Sequence, residues 1–191
     1  PAARWEVVSN LREAAEVLKS CGKCVAAVMP EVQINIGMAL PKPYARSAED
    51  VAAFPGRIGK FRDIVIIKGN PEFGASKHIA SAILTAMQIN PEVRAAGNII
   101  YNEEVRKAVE ALGLRWSFFD RKEEPPEIKE KEGGTTPWGV RKAAERLGGK
   151  LPEAIFDYGE HGKEPLTLIF GRTAKEVAEK IVAIGKEVSR R

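Results

Sequence analysis

Apolar positions along the chain follow two rhythms, and the switches between them predict the elements. Trp5, Val8, Leu11, Ala15 and Leu18 recur at helical spacing, so the N-terminal segment reads as an amphipathic helix that stops before Gly22. From Val32 to Leu40 the period shortens to two. Val32, Ile34, Ile36, Met38 and Leu40 alternate with Gln33, Asn35, Gly37 and Ala39, as in a strand with one polar face. Ser47 and Asp50 have capping-box spacing and open a short helical turn that Phe54, Pro55 and Gly56 end. Ile58 and Ile64 to Ile67 read as two short strands turning at Phe61 to Asp63, with Gly69 to Gly74 as a loop. A helix follows from Ser76 to Asn90, its inner side formed by Ile79, Ala80, Ile83, Leu84 and Met87, and Pro91 stops it. On that wheel His78 falls on the far side with Ala82 and Thr85, away from the core stripe.

The second half continues the alternation. Ala96 to Tyr101 and Leu114 to Phe119 read as strands flanking a helix that Asn102 caps and Gly113 ends. Glu123 to Glu132 is a charged, proline-interrupted connection, exposed and partly helical. Thr136 as N-cap and Pro137 at the first helical position open a helix closed by Gly148 and Gly149. Ala154 to Tyr158 and Leu166 to Phe170 are strands, and Thr173 with Glu176 opens the last helix. Interleaved strands and helices predict an α/β fold with helices on both faces of one sheet. Several loops between strands are too short for a helical crossover, so the sheet is expected to be mixed.

Composition narrows the class. With 191 residues, 44% of them hydrophobic and 29% charged, the chain can build a full core and is expected to form one domain. No apolar run reaches membrane-span length and no charged-then-apolar leader opens the chain, so a soluble cytoplasmic protein is expected. Pro1 in place of Met is read as the start of a segment cut from a longer chain. The net charge of +4 is spread among glutamates, which marks solvated helix faces rather than a nucleic-acid stripe, so no nucleic-acid partner is expected; a phosphorylated small molecule fits the balance as well as a polymer would. Cys21 and Cys24 form a lone Cys-x-x-Cys without further ligands for tetrahedral zinc, and are expected to be reduced structural thiols.

Candidate chemistry gathers at turns and helix starts. A Pro-Gly turn delivers Arg57, and a Gly-Ala-Ser lead opens the helix carrying Lys77 and His78. Cations and free N–H groups so arranged suit an anion. Ser76 and Lys77 are candidate phosphate holders there. Thr135 and Thr136 form a second such place and Lys163, in GEHGK, a third. Gln33 and Asn35 offer amides able to read a heterocycle, with Gly37 leaving it room, although a plain polar outer face explains them equally. Asp120 and Arg121 follow one strand and Asp157 ends another. With only His78 and His161 present, any metal would be a hard ion on carboxylates, such as magnesium at Asp120 and Asp157, though turn or cap roles suit both.

Five blocks in fixed order, PEVQINIGMALP, EDVAAFPGRI, EFGASKHIA, EEPPEIKEKEGGTTPWGV and FDYGEHGKEP, resemble the ThiN-type thiamine-phosphate synthases from Pro30 to Phe170. The resemblance implies a three-layer α/β/α fold with a mixed, mostly antiparallel sheet similar to class II aldolases. It also implies a domain fused behind a hydroxymethylpyrimidine phosphate kinase, and an enzyme that joins hydroxymethylpyrimidine diphosphate to thiazole phosphate with magnesium. The family's important arginine and histidine fall on Arg57 and His78, as diphosphate clamp and as donor or acid to the leaving group. Gln33 and Asn35 become pyrimidine readers, and Thr135 and Thr136 phosphate holders. The alternative is a non-catalytic sensor: related domains in thiamine-responsive repressors bind a thiamine phosphate without turnover, and tend to lack the arginine that this chain keeps. A lyase of the class II aldolase kind lacks its histidine cluster here. Partners beyond the substrates are expected to be the fused kinase domain and a second copy in a homo-oligomer.

Overall fold

The computed structural model describes residues 1–191. The first half contains α1 (Ala2–Ser20), α2 (Gly22–Ala26), β1 (Ile36–Ala39), β2 (Val51–Ala53), β3 (Ile58–Phe61), β4 (Ile64–Ile67), β5 (Glu72–Phe73) and α3 (Lys77–Ile89). The second contains β6 (Ala95–Ile100), α4 (Glu103–Ala111), β7 (Trp116–Phe119), α5 (Pro126–Lys129), α6 (Thr135–Arg146), β8 (Ala154–Asp157), β9 (Leu166–Gly171) and α7 (Ala174–Ser189). Seven strands form one sheet in the order β5-β2-β1-β6-β9-β8-β7, and β3 with β4 forms a separate hairpin. The hairpin is tied to the rest by a bridge between Ile34 and Ile58. Every pairing is antiparallel except β7 with β8, so the mixed, mostly antiparallel α/β sheet is borne out.

Two apolar layers sandwich the sheet. On one face Leu11 and Leu18 of α1, Val25 of α2, Val105 of α4 and Val177 and Ile181 of α7 pack on Ile36, Met38 and Phe156. On the other, Ile79 and Ile83 of α3 and Val140 and Ala143 of α6 pack on Ala39, Ala96 and Ile155. The helix caps are local. Asn102 accepts from the Val105 N–H at 2.9 Å, and Thr173 accepts from the Glu176 N–H at 3.1 Å. No helix is long and apolar enough to cross a membrane.

The structure departs from the period reading where neighbours intervene. The strand expected from Val32 pairs in the sheet only from Ile36. Gln33 sits at φ 71°, which breaks the alternation. All four residues of β1 are buried, so it has no wet face. Gly37 makes room for α3 rather than for a ligand: a Cβ there would lie 2.6 Å from Ile79 Cγ2. Ala82 and Thr85 are buried as well, because α6 covers the side of α3 that a single amphipathic stripe would leave wet. The helical turn opened at Ser47 stops at Asp50, and Val51–Ala53, expected within it, form β2; Glu72–Phe73, expected as loop, pair with β2 as β5. The helix expected to begin at Pro137 starts at Thr135, with Gly134 as its N-cap.

Cys21 and Cys24 are joined in a disulfide, which corrects the expectation of free thiols. Cys21 is the N-cap of α2 and Cys24 lies within that helix, which brings their Cα atoms to 5.3 Å. A bridge spans this separation readily.

The tight seat at Gly37 yields a stability test. Gly37→Ala forces Ile79 and the Ala52 carbonyl apart and is expected to cost about 1–3 kcal/mol, read as a lower urea midpoint at unchanged slope.

Candidate active site

Three segments that are distant in sequence meet at one end of the sheet and enclose a cleft of about 250 Å³. Val32, Gln33 and Asn35 lead into β1, Arg57 follows β2, and Ser76, His78 and Ile79 open α3. Asn98 of β6 and Leu166 of β9 complete the lining. Backbone strain concentrates here. Gln33 (φ 71°) and Arg57 (φ 64°) are left-handed without being glycine, and Gly56 beside Arg57 has φ 73°. Such conformations cost of order 1 kcal/mol or more and persist only when surrounding bonds over-determine them, a frequent mark of a ligand site.

Those bonds are visible. The side-chain oxygen of Asn98 accepts from the Asn35 N–H at 2.8 Å, and its amide nitrogen donates to the Gln33 carbonyl at 2.9 Å. Asn35 Oδ1 accepts from the N–H groups of Ile36 and Phe54, and its Nδ2 donates to the Phe54 carbonyl at 3.0 Å. Both asparagines are only 5% exposed. Asn35 is therefore chiefly a clamp on the backbone behind the cleft: its amide oxygen is fully used and cannot accept from a heterocycle. Gln33 is freer. Its Oε1 accepts from Lys68 Nζ at 2.8 Å, and its amide N–H groups have no acceptor. Arg57 donates through Nη1 to the Val32 carbonyl at 2.9 Å, which leaves the rest of its guanidinium fork unpaired at the cleft.

The start of α3 adds further donors. Ser76 Oγ caps the helix by accepting from the Ile79 N–H at 3.3 Å, while the first-turn N–H groups of Lys77 and His78 find no acceptor within the helix. The Lys77 and His78 side chains are both exposed, as the helical wheel predicts for His78. Protein nonetheless closes around the imidazole enough for desolvation to be the main force lowering its pKa. Asp157 opposes that shift, and Arg121 and Arg57 reinforce it. His78 thus stands within electrostatic reach of the sequence candidates at the far strand ends, and burial favours its uncharged form.

The remaining candidates are structurally engaged. Arg121 and Asp157 form a two-pronged ion pair, with Nε to Oδ1 at 3.1 Å and Nη2 to Oδ2 at 2.8 Å, their side chains 13% and 9% exposed. Asp157 also accepts from the Gly159 N–H, and Asp120 caps a short 3₁₀ turn by accepting from the Lys122 N–H. Both oxygens of Asp157 are taken by Arg121, Asp120 spends one oxygen on its cap, and no group of three metal-ligating side chains forms anywhere in the chain. The residues present do not fit a resident magnesium ion.

Thr135 donates its hydroxyl to Glu124 Oε2 at 2.6 Å. Glu124 is 7% exposed and its other oxygen has no partner. That buried carboxylate at the start of α6 works against a phosphate on Thr135 and Thr136. Lys163 is exposed in the turn that pairs Glu160 with Lys163, outside the cleft's lining. Asn98, Lys68 and Glu124 escaped the sequence reading. Asn98 had a signal, a lone amide inside the apolar run AAGNII, where a buried polar group needs partners.

Unspent donors gathered at one end of a sheet are how an enzyme receives an anionic small molecule. The family model described as thiamine-phosphate synthase ThiN matches residues 10–183. The chain belongs to this family of transferases. It is 38% identical over 177 residues to the thiamine-phosphate synthase ThiN of Methanothermobacter thermautotrophicus, covering 93% of this chain and 91% of the relative. It is 42% identical over 183 residues to the bifunctional thiamine biosynthesis protein ThiDN of Methanocaldococcus jannaschii, covering 95% of this chain but 41% of that longer protein. Among solved structures, the C-terminal domain of a phosphomethylpyrimidine kinase superposes with a TM-score of 0.86 at 43% identity, covering 95% of this chain and 99% of that one. An aldolase II superfamily protein from Pseudomonas syringae shares the fold alone, at a TM-score of 0.50 and 12% identity over all of this chain and 75% of that one.

The charges around His78 fix a sign that can be measured. Its imidazole is expected to titrate below the usual 6.5. Removing the opposing carboxylate in Asp157→Asn lowers the midpoint further, and removing the reinforcing cation in Arg57→Ala raises it, both read from the ring-proton shifts in an NMR pH titration.

Proposed function

We propose that the cleft binds hydroxymethylpyrimidine diphosphate and that the enzyme transfers its pyrimidine methylene group to thiazole phosphate. The C–O bond to diphosphate breaks with its electron pair leaving on oxygen, and the thiazole nitrogen bonds to the freed carbon. The observation that carries this reading is Arg57, held left-handed with most of its fork unspent, in the same cleft as His78 and the open start of α3. In this reading Arg57 clamps the diphosphate, and the N–H groups of Lys77 and His78 take further oxygens. Charge grows on those oxygens as the C–O bond stretches, so donors fixed beforehand stabilise the transition state more than the ground state.

His78 enters neutral and donates a hydrogen bond to the leaving group. The incoming anion raises its pKa, so proton transfer becomes available as the diphosphate departs. Gln33 is the reader of the pyrimidine, while Asn35 supports it from behind. A cleft of about 250 Å³ falls below the ~300–1,000 Å³ of a typical small-molecule site, which leaves the thiazole phosphate to approach at the mouth. Magnesium, which the protein's carboxylates are not arranged to hold, belongs to this reading as a counter-ion arriving on the diphosphate. A cytoplasmic setting and a place behind a kinase domain, as in the bifunctional relative, complete it.

The test is to mix the protein with both phosphorylated precursors and magnesium and to look for thiamine phosphate. Tight binding of thiamine phosphate without its formation would point to a sensor instead. Arg57→Ala is expected to lower kcat about 10²-fold at unchanged melting temperature, with partial recovery in Arg57→Lys, which restores charge without the fork; an unchanged rate removes Arg57 from the mechanism. Diphosphate binding at pH 7, measured by calorimetry in buffers of different ionisation enthalpy, should show proton uptake in the wild type that is smaller in His78→Gln.

A further inference from the structure

Lys68 follows directly on β4 and reaches into the wall of the cleft. Its Nζ lies 2.8 Å from Gln33 Oε1 and 2.8 Å from the Gly56 carbonyl. Both partners belong to strained pieces of the cleft's wall: Gln33 is itself left-handed, and Gly56 is the left-handed glycine that delivers Arg57. An ammonium has donors only, so the Gln33 amide must turn its oxygen toward Lys68. Its Nε2 is thereby directed elsewhere and meets no acceptor in the protein. The absence of a side chain at Gly59 accommodates it, since a Cβ there would stand 2.8 Å from Nε2.

We propose that Lys68 is a positioning residue that sets the Gln33 amide with its N–H groups toward the ligand, so that the cleft selects a hydrogen-bond acceptor at that point. The same ammonium braces the turn that presents Arg57. The inference rests on the cleft being the pyrimidine diphosphate site. The acceptor is a lone pair on the ligand, supplied either by a ring nitrogen or by a diphosphate oxygen. Without Lys68 the amide is free to flip and present its oxygen, which would repel either acceptor. An ordinary surface lysine would have no such effect.

The experiment compares steady-state kinetics of Lys68→Met, Lys68→Arg, Gln33→Met, Gly59→Ala and the Lys68→Met/Gln33→Met double variant. Lys68→Met is expected to raise KM for hydroxymethylpyrimidine diphosphate about tenfold, with a smaller fall in kcat. Lys68→Arg, still a pure donor, recovers most of the loss. Gly59→Ala displaces the amide without altering any charge and raises KM similarly, which keeps the test decisive if Lys68→Met is destabilised. The double variant should cost little more than Lys68→Met alone, because the Gln33 contact is already lost there. A KM for Lys68→Met within twofold of wild type, or penalties that multiply in the double variant, would overturn the proposal.

Calorimetry with inorganic diphosphate and, separately, with unphosphorylated hydroxymethylpyrimidine identifies the source of the acceptor. Weakening of either ligand in Lys68→Met supports the proposal, and weakening of neither overturns it. A wild type that binds neither ligand overturns this proposal together with the reading of the cleft. A wild type that makes thiamine phosphate while Lys68→Met behaves identically overturns the positioning role alone.

Discussion

Two buried amides hold the functional end of this protein together. Asn35 and Asn98 replace, with side-chain hydrogen bonds, the regular ladder that stops where the chain turns left-handed at Gln33. Buried polar groups are stabilising only when satisfied, and here each amide oxygen and nitrogen is spent on backbone of the segments that meet at the cleft. The bonds join β6 to the segment before β1, and that segment to the end of β2. Three pieces of chain are thereby fixed against one another at the point where the cleft opens. The strain at Gln33 and Arg57 is tolerable because this network determines the surrounding geometry.

The electrostatic character of the site follows from which charges are spent and which are not. Arg121 and Asp157 neutralise one another in a nearly buried pair, so they shape the field at His78 without offering themselves to a ligand. Glu124 is bonded into the start of α6 through Thr135, whereas the start of α3 is capped by the Ser76 hydroxyl. Two helix starts with similar sequence chemistry are thus made unlike by one buried acid eleven residues before Thr135 in the chain.

Much of this was legible in the residues. Periodicity placed the long helices, removed His78 from the core and required a mixed sheet, because each of these rests on local spacing. The resemblance carried Arg57 and His78 to prominence, and the structure brings both into one cleft. What the sequence hid depended on contacts between distant segments. Asn35 looked like an outward reader because alternation assumes a regular strand, and a left-handed Gln33 ends that assumption. Ala82 and Thr85 looked exposed because a wheel cannot foresee α6. Gly37 looked like space for a ligand, and Ile79 fills it. The disulfide was missed because a lone Cys-x-x-Cys says nothing about the backbone between its cysteines, which here bends from one helix into the next.

The strand order has a consequence for how the protein comes into being. β6 lies between β1 and β9, so the centre of the sheet is complete only after α4, β7, α6 and β8 have been passed and β9 has joined. Pairings over such long sequence separations form slowly, since loop closure must precede the contacts that reward it. A nascent or truncated chain ending before β9 would carry Arg57 and His78 yet lack the Leu166 wall and the support behind Asn98. In the proposed reading chemical competence therefore waits for β9 to dock, and a bound ligand would count as a report that it has.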